Sequence, residues 1–478
     1  MENELISTEK LEQLIVERKV KEIRNIFEVV PTIDIAEACD DFEDISHLVF
    51  IFKFVKSEYT ADLFTELSND TKEKLIQMMS DSELANILES QFTDDLVDDL
   101  EDLPANLVTR VLRNVSKEKR EVINKLLNYK ENTAGSIMTT EFLVLLESLT
   151  ADEAIRKIRR EGKTKETIYT IFIIDSKRNL VGTLDLDDLI FAKADEIISD
   201  IMNRDYVTTT IGADQEEVAN LIKRYDLNAI AVLNNENRLI GLITVDDIVD
   251  VIEQEATEDM TKMAGVAPLD NSYLETNVFR MALKCAPWLM VLLVLGTFSS
   301  MILSKFETTL SALPILVPFV TVLMDTGGNA GGQTTTLMVR GLAVQEFGPK
   351  DYFKILWKEM RVALVTGLMV CVFAALWFLF EMYVGIIGFD GADLNNGVPL
   401  VGGELFVARL SISLLVSGTL LLGILVAKFV GTSLPMLVAA FKKDPALISS
   451  PFVTTIVDVC SLLIYIGLAT IVFNTILG

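Results

Sequence analysis

From Leu67 onward, apolar residues recur at helical spacing in short blocks, each opened by an apolar residue and a capping-type residue. The openings are Leu67-Ser68, Met79-Ser80, Phe92-Thr93, Leu103-Pro104 and Val115-Ser116, spaced 12, 13, 11 and 12 residues apart. Ser and Thr are good N-caps, and Pro suits a first helical position. So short a period predicts stacked helical hairpins, each helix burying its face against its neighbours. Residues 1–135 therefore read as an all-α helical-repeat domain. In FTDDLVDDLEDLP, Asp94 and Asp98 stand four apart on one helical face, either a solvated acidic surface or half of a divalent-cation site.

The pattern then turns strand-like, and residues 136–253 repeat themselves. SIMTTEFLVL matches DIMNRDYVTT, with Met138 and Met202 in step, and LTADEAIRKIRR matches IGADQEEVANLIKR. IFIIDSKRNLVGTLDLDDLI then matches IAVLNNENRLIGLITVDDIV, with Gly182 and Gly241 aligned. Each unit (136–199 and 200–253) reads as strand, helix, strand, turn, strand, helix. Seven acids and no Lys or Arg then lie between Asp246 and Asp259. They sit among helix formers, so one acidic helix is predicted to run through the connector at 254–280.

Residues 281–478 are apolar enough for five spans of the roughly 20 residues a bilayer needs, at about 285–304, 311–339, 362–387, 405–430 and 452–476. The fourth is open to continuation through Pro435 toward Phe441. Arg340, Lys350, Lys354, Lys358 and Arg361 fall between spans two and three, and Lys428, Lys442 and Lys443 between four and five. The alternate loops hold Lys305 and, at Gly388–Glu404, no basic residue. By the positive-inside rule the N-terminal half is cytosolic and the C-terminus outside.

Two features suit lipid poorly. Pro314–Gly341 ends LMDTGGNAGGQTTTLMVRG, placing Asn329, Gln333 and Thr334–Thr336 at membrane depth among Gly327, Gly328, Gly331, Gly332 and Gly341. Hydrocarbon tolerates polar or irregular backbone only where protein buries it or water lines it, so this reads as the wall of a polar pathway. Asp458 is a lone acid inside the last apolar segment. Such a carboxylate costs roughly 2.5–3.5 kcal/mol on insertion scales and marks a functional site by default.

Charge sharpens the division. Residues 1–280 hold 31 Lys+Arg against 58 Asp+Glu, and 281–478 hold 11 of each, so the whole formal charge of −27 lies in the first part. That acidity excludes a nucleic-acid partner and suits cations. The start MENELISTEK has no apolar signal core. Three of the four cysteines (Cys285, Cys371, Cys460) are in apolar segments and Cys39 stands alone, which gives no disulfide framework and fits a reducing cytosol. His47, the one histidine, reads as structural, and with no HExxH or P-loop the chain is expected not to be an enzyme.

The M…G-x-[IL]-T-x-x-D framework of the duplication resembles a tandem CBS-domain pair. The order of helical repeats, CBS pair, acidic connector and spans carrying GGNAGGQ and KKDPALISSPFVTTIVD resembles the MgtE magnesium channel/transporter family. The resemblance implies a multidomain protein: an all-α N-domain (1–135), an α/β CBS pair (136–253), an acidic connecting or plug helix (254–280) and a five-helix transmembrane bundle (281–478). It implies a homodimer in the cell (plasma or inner) membrane with the pore between subunits. Asp458 would then be the pore carboxylate that selects Mg2+, with Gly328, Asn329, Thr454 and Thr455 along the path. Asp94 and Asp98 resemble N-domain metal ligands, and Glu216, Asp226, Asp247, Asp250, Glu255, Glu258 and Asp259 those of the CBS pair and connector. CBS modules hold a nucleotide ribose with the terminal Thr and Asp, which points to Thr244 and Asp247, with Asp188 in the first repeat, for a regulatory nucleotide such as ATP. The first repeat carries Asp185 where the Thr belongs.

The chemistry agrees. Mg2+ binds hard oxygen ligands and dehydrates reluctantly, so two pooled carboxylates would hold it through its waters. An inside-negative potential of 100 mV favours a divalent cation by roughly 4.6 kcal/mol, so uptake needs no ATPase. The expected function is Mg2+ uptake through a dimeric channel closed by cytosolic Mg2+. The alternative is a CBS-regulated transporter for another divalent cation or small solute.

Overall fold

The computed structural model describes residues 7–268, 273, 276–312, 314–392 and 398–476. The chain forms two compact units, Met1–Glu253 and Gln254–Gly478.

The first unit opens with helices α1 (Thr8–Val16), α2 (Val20–Val29), α3 (Thr32–Asp40), α4 (Ile45–Phe54) and α5 (Ser57–Glu66). Then come α6 (Asn69–Met78), α7 (Asp81–Ser90), α8 (Thr93–Asp102), α9 (Ala105–Asn114) and α10 (Lys117–Leu126), beginning where the capping residues predict. Ser80 caps α7 in a reciprocal capping box with Glu83, and Ser116 accepts from Lys119 N at 3.3 Å. Two details differ from expectation: Phe92 rather than Thr93 is the N-cap of α8, and Pro104 is the N-cap of α9 rather than its first helical residue. Leu75, Leu84, Leu88 and Ile123 are fully buried, and their core continues into Met138, Ile230 and Ile243 of the duplicated unit. His47 is bound to Glu12 at 3.2 Å.

In the first repeat β1 (Val144–Leu146) is followed by α11 (Ala151–Glu161), β2 (Thr170–Ile174), β3 (Leu180–Asp185) and α12 (Leu186–Phe191). After α13 (Ile198–Ile201), the second has β4 (Thr208–Thr210), α14 (Gln215–Tyr225), β5 (Ala229–Leu233), β6 (Leu239–Thr244) and α15 (Val245–Met263). Both sheets share one topology: the first strand pairs parallel with the second, which pairs antiparallel with the third. The aligned Met and Gly residues bind the repeats to each other. A Cβ on Gly241 would lie 2.5 Å from Met138 Sδ, and one on Gly182 would lie 2.8 Å from Met202 Sδ. Thr139 bridges Leu242 while Asn203 bridges Thr183, the same exchange in reverse.

The acidic helix starts at Val245 and ends at Met263, shorter than predicted, because Gly265 adopts φ +76, a backbone state glycine alone reaches at little cost. Of the remaining connector, 269–272, 274 and 275 lie outside the described residues. The second unit then holds α16 (Val278–Lys305), α17 (Glu307–Ala312), α18 (Val317–Ala343), α19 (Tyr352–Val384), α20 (Gly403–Ala440) and α21 (Ser450–Ile476). Among the described residues, four helical segments are long and apolar enough to cross a membrane: Val278–Lys305, Pro349–Val384, Gly403–Ala440 and Ser450–Val472. The predicted second span is not one of them. α18 is long enough at 27 residues, but polar residues from Asp325 to Thr336 lower its hydropathy.

The glycine-rich stretch lies within continuous α18, where its glycines serve close helix packing. One expectation is corrected here. Lys428 is not in a loop. It lies within α20, which runs through Pro435 to Ala440, and the bundle therefore does contain a buried base.

Candidate cation sites and polar pathway

Helix α8 carries five aspartates, and the structure treats Asp94, Asp95, Asp98 and Asp99 unequally. Asp99 is buried and paired with Lys72 at 2.5 Å, with Gln91 donating to its other oxygen at 3.0 Å. Asp94, Asp95 and Asp98 form no ion pair among the described residues. Asp94 is 8% exposed and its Oδ1 has no hydrogen-bond partner among the described residues. Burial, then Glu166, Asp95 and Asp247, pushes its pKa well above the carboxylate range. Burial, then Asp99 and Asp247, raises Asp95 to about 6. Asp98 keeps an open face, yet crowding by the fold, then Glu101 and Asp247, raises it to about 7. Glu166, from the segment before β2, has an Oε2 without a hydrogen-bond partner among the described residues and is raised to about 8 by burial, then Asp247 and Asp95. Asp247 is itself raised, chiefly by burial. Five carboxylates thus converge within the first unit. Asp94, Asp98 and Asp247 were expected from the sequence. Asp95 and Glu166 were missed: Asp95 sits beside a chosen pair, and no local signal marks Glu166.

The other expected ligands of this unit are more dispersed. Glu216 stands exposed in the first turn of α14, and Asp226 is its left-handed C-cap. Asp250 is on an exposed face of α15, its pKa raised by burial, then Glu253 and Asp246. Thr244 donates its hydroxyl to Asp247 Oδ2 at 2.5 Å. Asp188 is exposed with Asp185 and Asp187, and one carboxylate oxygen of each lies within 4.8 Å of the others.

In the second unit, the end of α15 presents Glu255, Glu258 and Asp259, all half-buried. Lys262 Nζ lies 2.5 Å from Glu258 and 2.8 Å from Asp444. Burial lowers the Lys262 pKa, but these two carboxylates outweigh it and hold it above the ordinary lysine value. Burial, then Asp444, raises Asp259 to about 6.

Inside the helical bundle, α18 packs its small face on α21 and α20. A Cβ on Gly327 would lie 2.7 Å from Ser461 Oγ, and one on Gly328 would lie 2.5 Å from Thr454 Cγ2. On the α20 side, a Cβ on Gly431 would lie 2.6 Å from the Gly331 carbonyl oxygen. Small residues let helices approach this closely without lipid between them. Gly328 is therefore buried in a helix contact, whereas Asn329 is exposed. Asp325, Asn329, Gln333 and Thr336 all lie on one exposed face of α18. Sequence reading passed over Asp325, although the i, i+4, i+8 spacing could have found it. Asp458 is half-buried on α21, its Oδ1 3.5 Å from where a Gly328 Cβ would be, and that oxygen has no hydrogen-bond partner among the described residues. Asp325 is close enough to act on it electrostatically. Thr454 and Thr455 give their hydroxyls to the carbonyls of Ser450 and Pro451, at 3.0 and 2.9 Å. Deeper in the bundle Lys428 donates to Glu359 at 3.3 Å and to Thr334 at 3.1 Å, tying α20, α19 and α18 together.

Known families match these parts in order. Residues 8–132 match the MgtE intracellular N domain, 134–195 and 198–254 the CBS domain, and 320–468 the MgtE divalent cation transporter family. The magnesium transporter MgtE of Thermus thermophilus is 33% identical over 470 residues, 98% of each chain. The chain belongs to the MgtE family. A second MgtE, from Enterococcus faecalis, is 34% identical over 353 residues, 74% of this chain and 72% of its own. The solved soluble part of a magnesium transporter is similar with a TM-score of 0.50 and 31% identity, over 52% of this chain and 98% of that one. An MgtE protein is a membrane-embedded magnesium transporter with a CBS regulatory domain, not an enzyme. The MgtE transporter match spans Asp325, Asn329, Lys428 and Asp458.

Proposed function

We propose that this chain is a homodimeric, channel-type path for Mg2+ uptake, with five spans, its N-terminal half cytosolic and its C-terminus outside, and closed by cytosolic Mg2+. The observation that carries the reading is the exposed polar face of α18 beside the unpartnered oxygen of Asp458. A polar stripe at membrane depth must face water or protein, and a second copy supplies both by enclosing a wet path. α18 would be the fifth span, shielded from lipid by the other helices.

Two Asp458 carboxylates, one per subunit, would hold Mg2+ with most of its water shell intact, because that ion gives up water reluctantly. Asp325, Asn329, Thr454 and Thr455 would orient the shell. The lack of a soft ligand set disfavours zinc or copper. Gating follows from the clustered acids. At high cytosolic Mg2+, hydrated ions neutralise Asp94, Asp95, Asp98, Glu166 and Asp247, together with Glu216, Asp226 and Asp250 around them and Glu255, Glu258 and Asp259 on the connector. The cytosolic parts then stay compact and the connecting helix stays over the pore. At low Mg2+ the carboxylates repel and the population shifts toward open.

The test is Mg2+ flux into liposomes with internal Mg2+ set across the millimolar range. Asp458→Ala should abolish flux, and wild-type flux should fall as internal Mg2+ rises. Normal flux in the variant removes the pore assignment, and flux indifferent to internal Mg2+ removes the gate.

A further inference from the structure

We propose that Lys262 is a positioning residue for gating: its ammonium clamps the end of the connecting helix to the turn that leads into α21, without any divalent ion. The inference rests on the gated-channel reading above, because it says how movement of the connector reaches the helix carrying Asp458.

The contacts form a continuous chain. Lys262 is half-buried and bridges Glu258, one turn back on its own helix, to Asp444. Asp444 in turn caps the short turn Pro445–Leu447, accepting from Ala446 N at 2.8 Å, and α21 begins at Ser450. A second attachment runs beside the first. At Gly265 a side chain would strike the Trp288 indole on α16, and Trp288 lies 6.3 Å from the Phe452 ring at the start of α21. Lys284 completes it, donating from Nζ to the Pro268 carbonyl, while its own carbonyl accepts from Ala267 N at 3.4 Å. Phe452 and Asp458 share one helix, so a shift of the connector end is delivered to the Asp458 carboxylate as a rigid displacement. The apolar attachment fixes where the connector turn sits. The ion pair supplies the part that charge can strengthen or release.

A fixed ammonium between acids does part of what a bound cation would do, so the connector keeps a hold on α21 when Mg2+ is withdrawn. Reversing the lysine charge would instead place a third carboxylate beside Glu258 and Asp444.

The experiment uses the full-length protein in liposomes. It follows amide exchange over residues 254–263 in chelator, and Mg2+ flux at a fixed internal Mg2+ concentration. For K262E, exchange and flux should both rise about fivefold, the weight of one half-buried ion pair. D444N should move both in the same direction by less. The swap K262E/D444K, which restores opposite charges, should return both to wild-type values. Wild-type exchange or wild-type flux in folded K262E overturns the proposal, as does a folded swap that restores neither. A wild-type protein whose flux ignores internal Mg2+ would instead be a failure of the gating reading. The chelator measurement contains no Mg2+ and stands apart from it.

Discussion

In the membrane bundle Glu359 is buried with Lys428 only 3.3 Å away, whereas Asp94, Asp95 and Asp98 of α8 crowd against Asp247 and Glu166 with no ion pair among the described residues, Lys119 and Lys72 acting on Asp94 and Asp95 only from a distance. Both regions bury carboxylates, but they neutralise them differently. The bundle carries its own counter-charge, fixed in the sequence and hydrogen-bonded to Thr334 besides. The cytosolic cluster leaves its charge to be met by protons or by ions from solution. A permanent partner makes a structural element, and an exchangeable one makes a sensor. Asp99 shows that α8 could have been compensated throughout, since Lys72 does so for that one residue.

The largest test breaks the fixed pair. Lys428→Met leaves Glu359 buried and alone, which costs about 3–5 kcal/mol for a buried pair. The melting temperature of the detergent-solubilised protein should fall sharply, and adding Glu359→Leu in the same chain should restore most of it. A K428M protein as stable as wild type would erase the distinction between the two regions.

Next is pH, which acts on the exchangeable group. Glu166 and Asp95 have folded-state pKa values raised to about 8 and about 6, so the folded unit binds more protons than the unfolded chain between about pH 4 and 8. Their stabilising protons are fully present below the unfolded pKa and are lost as pH rises through the folded values. In chelator, the thermal midpoint of the cytosolic unit should therefore drop by about 5 °C between pH 5 and pH 8.5. Millimolar Mg2+ should remove most of that drop. A midpoint that rises with pH would show that these acids are compensated after all.

The smallest effect sharpens the comparison at one residue. Asp98→Asn removes a repelling charge from a partly open site, so the chelator midpoint should rise by about 2 °C and the further gain from Mg2+ should shrink. An unchanged Mg2+ response would remove Asp98 from the cluster.

Much of this was legible along the chain. Helix starts in the N-domain are local events, governed by a capping residue and a few apolar neighbours, and Ser68, Ser80 and Ser116 mark them directly. The duplication was legible because two copies of one pattern reinforce each other. Asp458 was legible because a single acid stands out against apolar neighbours. The role of the glycines between Gly327 and Gly332 was not legible, since the same residue serves an irregular turn and a tight helix crossing, and the neighbour decides which.

Taken alone, the sequence determined the order of elements, the split between an acidic part and a neutral apolar part, and the carboxylates available to meet cations. Local propensity and hydrophobic period fix these, and both act within a few turns of chain. Tertiary structure alone decided which acids are compensated. Lys428 reaches Glu359 across 69 residues and Thr334 across 94, and Lys262 reaches Asp444 across 182. Burial and counter-charge depend on what packs beside a residue in space, and Glu166 becomes part of the α8 cluster only when the chain folds back on itself.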